Sequence, residues 1–170
     1  RIPFDALSLL AAHGGTGKSL FAMQLAAHTS TGRSFLGLET ERIKTLFFSA
    51  EDSKDTIRRR YAAICKDDGL DPAEVESNLI VLDATDAPCL FHEVYINGVR
   101  TGEPTGHYSE LKYLIETEGV GFLIVDNASD SFGANPIDRQ AVTKFIRALV
   151  RLVRDAGGAV LLLSHVNKVT

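Results

Sequence analysis

The sequence has little cysteine, no long apolar run and no excess of basic charge, and each shortage removes a class of protein. Cys65 and Cys89 are the only cysteines in 170 residues. They lie far apart with no His cluster beside them, which excludes a disulfide framework and a Cys/His zinc site and fits a reducing, cytoplasmic setting. No apolar run approaches the roughly 20 residues that span a bilayer, and the first residues do not resemble a signal peptide, so a soluble chain with no membrane contact is expected. Lys and Arg number 18 against 22 Asp and Glu, a formal charge of -4 with pI near 5.7. The chain as a whole exerts no pull on a polyanion, so any nucleic-acid contact has to come from local basic loops. Internal repeats and low-complexity tracts are absent too. With 45% hydrophobic and 24% charged residues, the composition is that of one globular domain over residues 1–170.

Five short apolar runs punctuate it: Leu7 to Ala12, Lys44 to Ala50, Leu79 to Asp83, Gly121 to Asp126 and Ala159 to His165. Each is nearly continuous rather than alternating, the pattern of parallel strands covered on both faces. Helical stretches lie between them. The clearest is Arg139 to Asp155, where Val142, Phe145, Ile146, Leu149, Val150 and Val153 form one apolar stripe and Asp138 stands at the cap position. Lys18 to Thr29, Asp55 to Lys66 and Ser109 to Thr117 are the others. The alternation predicts an α/β fold, a three-layer αβα sandwich around a mainly parallel sheet, with ligands bound beyond the carboxyl ends of the strands. Ala84 to His107 breaks the rhythm. Its Asn97-Gly98 pair signals a tight hairpin, read as an excursion at the sheet edge.

The strongest local signal is Ala12-His13-Gly14-Gly15-Thr16-Gly17-Lys18-Ser19, which follows an apolar strand and opens into the helical run from Leu20. Strand, glycine-rich loop and helix are the setting of a P-loop. Gly14, Gly15 and Gly17 let successive N–H groups of the loop, through Thr16, turn toward phosphate oxygens, and the helix aims its positive end at them, so the expected nucleotide contacts run from Gly14 through Lys18 and Ser19 to Leu20. Lys18 reaches the β and γ phosphates of ATP, and the Ser19 hydroxyl suits Mg²⁺. The first glycine of the usual G-x-x-x-x-G-K-[ST] pattern is Ala12 here. His13 reads as an ordinary loop residue.

Phe122-Leu123-Ile124-Val125-Asp126 is an apolar run ending in an acid, the Walker B pattern, which makes Asp126 the expected Mg²⁺ partner through a water. Asn127 follows, so the adjacent acid that activates water in many ATPases is missing. Glu51 and Asp52 end another strand on the same edge, and Glu51 is the expected base for the attacking water. Asp52 is left between a second such role and capping the next helix.

Together these residues resemble the RecA-like ATPases, and within them the hexameric replicative helicases of the RepA type with their plasmid and phage AAA ATPase relatives. The resemblance rests on Ala12 at the start of the loop, on Ser49-Ala50-Glu51-Asp52 ending the second strand, on Asp126, and on His165 with Lys168 three residues on. It implies that Glu51 is the catalytic glutamate and that His165 senses the γ-phosphate. Where plasmid members carry two adjacent histidines, the first position here is Ser164. It also implies single-stranded DNA as partner and a homo-oligomeric ring, six-membered in that family. Asn127 to Pro136 occupies the place of a nucleic-acid loop, polar and flexible rather than basic. Segments carrying an arginine finger and adenine contacts are expected outside residues 1–170. Arg58-Arg59-Arg60 and the Lys144, Arg147, Arg151, Arg154 stripe read as solvated helix faces.

Three other readings compete. Asn167-Lys168-Val169-Thr170 almost spells the guanine-reading N-K-x-D, but Thr170 supplies no carboxylate and no D-x-x-G follows Asp126. A small-molecule kinase needs an arginine-bearing lid and an acceptor site, and neither is found. An ATP-switched DNA-binding or recombination mediator shares every motif above and stays open beside the helicase.

Overall fold

The computed structural model describes residues 2–166. The chain runs β1 (Leu7–Ala12), α1 (Lys18–Thr31), β2 (Thr45–Ser49), α2 (Lys54–Asp68), α3 (Pro72–Asn78), β3 (Leu79–Asp83), β4 (Phe91–Ile96) and β5 (Val99–Pro104). It continues through α4 (Gly106–Glu118), β6 (Phe122–Asp126), α5 (Ala128–Ser131), β7 (Phe132–Gly133), α6 (Arg139–Arg154) and β8 (Ala159–His165). All five expected strands form one sheet, in the order β1-β8-β6-β2-β3, with every pairing parallel.

The near-continuous apolar runs have a direct physical cause. Successive strand residues face opposite sides, and along the inner strands β2, β6 and β8 both sides are dry, whereas the edge strand β1 leaves Leu9 60% exposed and β3 is mostly half-buried. Leu46, Phe48, Leu123, Val125, Val160 and Leu162 pack on one face with Leu111 and Ile115 of α4 and Phe145 and Leu149 of α6. Phe47, Ile124, Leu161 and Leu163 pack on the other with Ala22, Met23, Ala26 and Ala27 of α1 and Ile57, Tyr61 and Ile64 of α2. The result is a three-layer αβα sandwich with a RecA-like P-loop sheet. No helix among the described residues is long and apolar enough to cross a membrane.

Several elements differ from expectation. In α6 the buried face is Ala141, Phe145, Ala148, Leu149, Leu152 and Val153, with Val150 also buried, while Ile146 is exposed and Val142 half-buried. Small alanines let the helix lie close to the sheet, and a count of large apolar residues passes over them. The short helix α3 was not expected, because Val75 is its single buried residue. Its start is nonetheless written in Asp71, whose carboxylate accepts from Ala73 N, and in Pro72 at the first turn.

The hairpin forms where Asn97-Gly98 signals it, with positive φ at both residues (52° and 78°). It does not join the edge of the main sheet. Instead β4 pairs with β7, making a separate small sheet of order β5-β4-β7. The segment after β6 is therefore not the flexible loop expected of residues 127–136. It holds α5 and β7, Ser131 is fully buried, and Phe132 packs against Phe91 and Phe145. The hairpin supplies the partner strand that orders it.

Asp83, at the end of β3, anchors the start of α2 from outside the helix. Its carboxylate accepts from Lys54 N at 2.7 Å and from the Thr85 hydroxyl and amide at 2.7 and 3.1 Å. The capping position itself, Ser53, makes no side-chain cap bond, so Asp83 satisfies an N–H that would otherwise lack a partner. The Thr85 hydroxyl first, then the Lys54 and Thr85 amides, hold the Asp83 carboxyl below its usual range. A depressed carboxyl stabilises the fold above the unfolded-chain pKa and loses that share as pH falls through the folded value. Asp83→Asn is accordingly expected to lower the urea midpoint at neutral pH, and the gap to the parent is expected to close as pH falls from about 5 toward about 2. A gap that widened toward acid would contradict this.

Candidate functional site

The parallel register brings the expected site residues to one edge. Ala12 ends β1 opposite His165 of β8, and Ser49 ends β2 opposite Asp126 of β6. Because β8 lies between β1 and β6, His165 stands between the loop after β1 and the acids after β2. Val125 pairs with Leu162, so continuing the register sets Leu163 beside Asp126. His165 and Glu51 each overhang that level by two residues, on strands flanking β6, and their side chains meet above its end.

The loop from His13 to Gly17 is shaped by left-handed backbone at Gly15 (φ 75°) and Gly17 (φ 86°), conformations that cost other residues energy. The Thr16 hydroxyl donates to His13 O at 2.8 Å, and His13 Nδ1 lies 3.0 Å from Val166 O. His13 thus ties the loop to the end of β8, a role its sequence position did not signal. Gly14 faces the site too, for a Cβ added there would lie 3.9 Å from His165 Nδ1. Gly17 caps α1 without a side-chain hydrogen bond, leaving the first N–H groups of the helix directed at the loop mouth.

Lys18 is 8% exposed. Its ammonium donates to Ala12 O and His13 O, both at 3.0 Å, and lies 3.3 Å from His165 Nδ1. Burial of the charge is thus compensated within its own loop. Ser19 is half-buried, and its hydroxyl lies on the side of Asp126, whose carboxyl it pulls down. Leu20, also among the expected nucleotide contacts, is 47% exposed on the first turn of α1.

Asp126 is 3% exposed, and burial pushes its carboxyl up; the negative charges of Glu51 and Asp52 push the same way, while Ser19 and His165 pull down. A buried carboxylate near two other acids and a serine hydroxyl gathers hard oxygen donors at this edge. Those hard oxygens fit a Mg²⁺ ion, which takes one or two side chains and fills its shell with phosphate and water. Among the described residues no group of three or more His, Cys, Asp or Glu is placed to hold a metal by itself.

The two adjacent acids at the end of β2 part company. Asp52 pairs with Arg60 of α2, its two oxygens facing the two guanidinium nitrogens. Both side chains are partly exposed, so the pair contributes at most about 1 kcal/mol to stability; its larger effect is to occupy Asp52. Arg58 and Arg59 stay exposed, as do Arg147, Arg151 and Arg154, while Lys144 donates to the Thr101 hydroxyl of the hairpin. Glu51 turns the other way. Its Oε1 accepts from His165 Nε2 at 2.8 Å and from the Asn127 amide. Both His165 contacts are satisfied by one tautomer, in which Nε2–H donates to Glu51 and bare Nδ1 accepts from Lys18.

Asn127 is the residue that sequence reasoning missed at this site, having registered it only as a missing acid. It is 1% exposed, and its Oδ1 accepts from Asp130 N at the start of α5. The signal was present in Asn127-Ala128-Ser129-Asp130, a capping pattern set directly after the strand-ending acid. Lys168 and the rest of Asn167 to Thr170 lie outside the described residues.

None of the curated proteins compared with the chain matches it. A family model described as an AAA domain matches residues 1–170, and the loop, sheet order and edge chemistry above agree with it: the chain belongs to the AAA domain family, as a nucleotide-binding domain of the P-loop ATPase kind.

Proposed function

We propose that this domain carries out Mg²⁺-dependent hydrolysis of ATP as a RecA-like motor, and that it serves a replicative DNA helicase of the RepA type. The observation that carries the hydrolase reading is the continuous contact from Lys18 through His165 to Glu51, which joins the phosphate loop to a carboxylate at the same sheet edge. Gly14, Gly15, Thr16, Gly17, Lys18, Ser19 and Leu20 form the nucleotide cradle. Ser19 and, through a water, Asp126 would hold Mg²⁺, which neutralises phosphate charge when bound.

Glu51 orients the attacking water and accepts its proton. Its neighbours support that choice over Asp52, whose carboxylate Arg60 engages. His165 links that carboxylate to Lys18, so a γ-phosphate that draws the Lys18 ammonium away frees Nδ1 to register its arrival. The helicase part, with single-stranded DNA as partner and a ring of like chains, rests on the resemblance of Ser49 to Asp52, Asp126 and His165 to that family.

Lys18→Ala is expected to abolish binding of a labelled ATP analogue. Asp126→Ala weakens Mg²⁺-dependent binding as well as turnover. Glu51→Gln keeps binding but loses roughly 10² to 10⁴ in rate, because the base acts in the transition state. Parental turnover by Glu51→Gln alongside a dead Asp52→Asn would move the base to Asp52.

The helicase part is checked by ATP-driven strand displacement on a forked duplex, which the full-length protein is expected to show. Assembly on DNA without displacement would favour a mediator that uses ATP as a switch.

A further inference from the structure

We propose that Asn127 is the positioning residue for Glu51, holding its carboxylate by one oxygen so that the other faces the attacking water. The proposal rests on the reading of Glu51 as general base. It starts from the division of labour on that carboxylate. Oε1 accepts two donors, His165 Nε2 and Asn127 Nδ2, whereas Oε2 has no hydrogen-bond partner among the described residues. Two donors from different strand ends fix the plane of the group. The lone pairs of Oε2 stay available.

The Asn127 amide is itself held in one orientation. Its Nδ2 also donates to Asp130 Oδ2 at 3.0 Å, and its Oδ1 accepts from Asp130 N at 3.1 Å. A flipped amide would set Oδ1 against two carboxylates and Nδ2 against an N–H, losing three hydrogen bonds at once. The backbone is anchored as well, since Asn127 O accepts from the Ser131 hydroxyl at 2.7 Å and Ser131 O accepts from Leu90 N at 2.9 Å. Asn127 therefore transmits the order of α5, and of the hairpin that pairs with β7, to the carboxylate of Glu51. An acid at this position would repel Glu51. An amide holds it without competing for the proton, which explains why the residue after Asp126 is uncharged when the base sits on a neighbouring strand.

The test separates this role from simple capping of α5. Ser and Asp are both good caps, but neither offers the amide donor, so Asn127→Ser and Asn127→Asp keep α5 while releasing Glu51. Both variants are expected to bind a labelled ATP analogue within about twofold of the parent. Both are expected to lose roughly tenfold to a hundredfold in kcat, the scale of a misplaced catalytic group.

Added to Glu51→Gln, Asn127→Ser is expected to cost nothing further, because residues that act as a unit are not additive. Parental kcat in Asn127→Ser, or an equal loss in the Glu51→Gln background, would overturn the positioning role while leaving the base in place. Parental turnover in Glu51→Gln itself would overturn the base reading and this proposal together.

Discussion

A single carboxylate oxygen, Oε1 of Glu51, is the point on which the site geometry depends. It gathers a ring nitrogen from the end of β8 and an amide from the residue after β6, while its own backbone leaves the end of β2. Three strands of the sheet are thereby tied at one level beyond their carboxyl ends. The other side of the same histidine meets the buried ammonium of Lys18, so a fourth strand, β1, joins the network through its loop. In the proposed mechanism this is what a phosphate ligand disturbs. Its negative charge competes with Ala12 O, His13 O and His165 for one ammonium, and a charged acceptor outweighs neutral carbonyls.

The sheet order makes that network possible. Were β1 beside β6, the loop lysine and Asp126 would be neighbours, with no strand between them to deliver a histidine. Placing β8 there inserts the His165 imidazole between the phosphate loop and the acids. The register sets its reach, since His165 and Glu51 overhang the end of β6 equally. The buried apolar faces keep the strands from slipping, because a shift of one residue would turn Phe47 and its neighbours to the wrong layer.

The inner strands β2, β6 and β8 were legible because a strand buried on both faces is apolar nearly throughout, and such runs are shorter than a typical helix. The phosphate loop was legible because glycine is favoured where backbone turns left-handed, as at Gly15 and Gly17. What escaped were relations between distant residues. Asp52 with Arg60, Asn127 with Glu51 and His13 with Val166 are each ordinary polar residues until the fold brings them together. The segment after β6 misled for a related reason. Its polar composition reads as loop, and the order it has is lent by β4, some 40 positions earlier in the chain. Capping signals at Asp71 and Asn127 were readable, but as helix starts and not as parts of a site.

The linkage from Lys18 through His165 to Glu51 uses one arrangement of ring protons, Nε2–H toward Glu51 and a bare Nδ1 toward Lys18. Heteronuclear NMR of the His165 imidazole in the nucleotide-free protein at neutral pH tests this directly. The expected spectrum shows a protonated Nε2 hydrogen-bonded to a carboxylate and a bare Nδ1, with the Nε2–H signal altered by Glu51→Gln. A proton on Nδ1, or a ring whose signals ignore Glu51→Gln, would contradict the linkage on which the proposed mechanism stands.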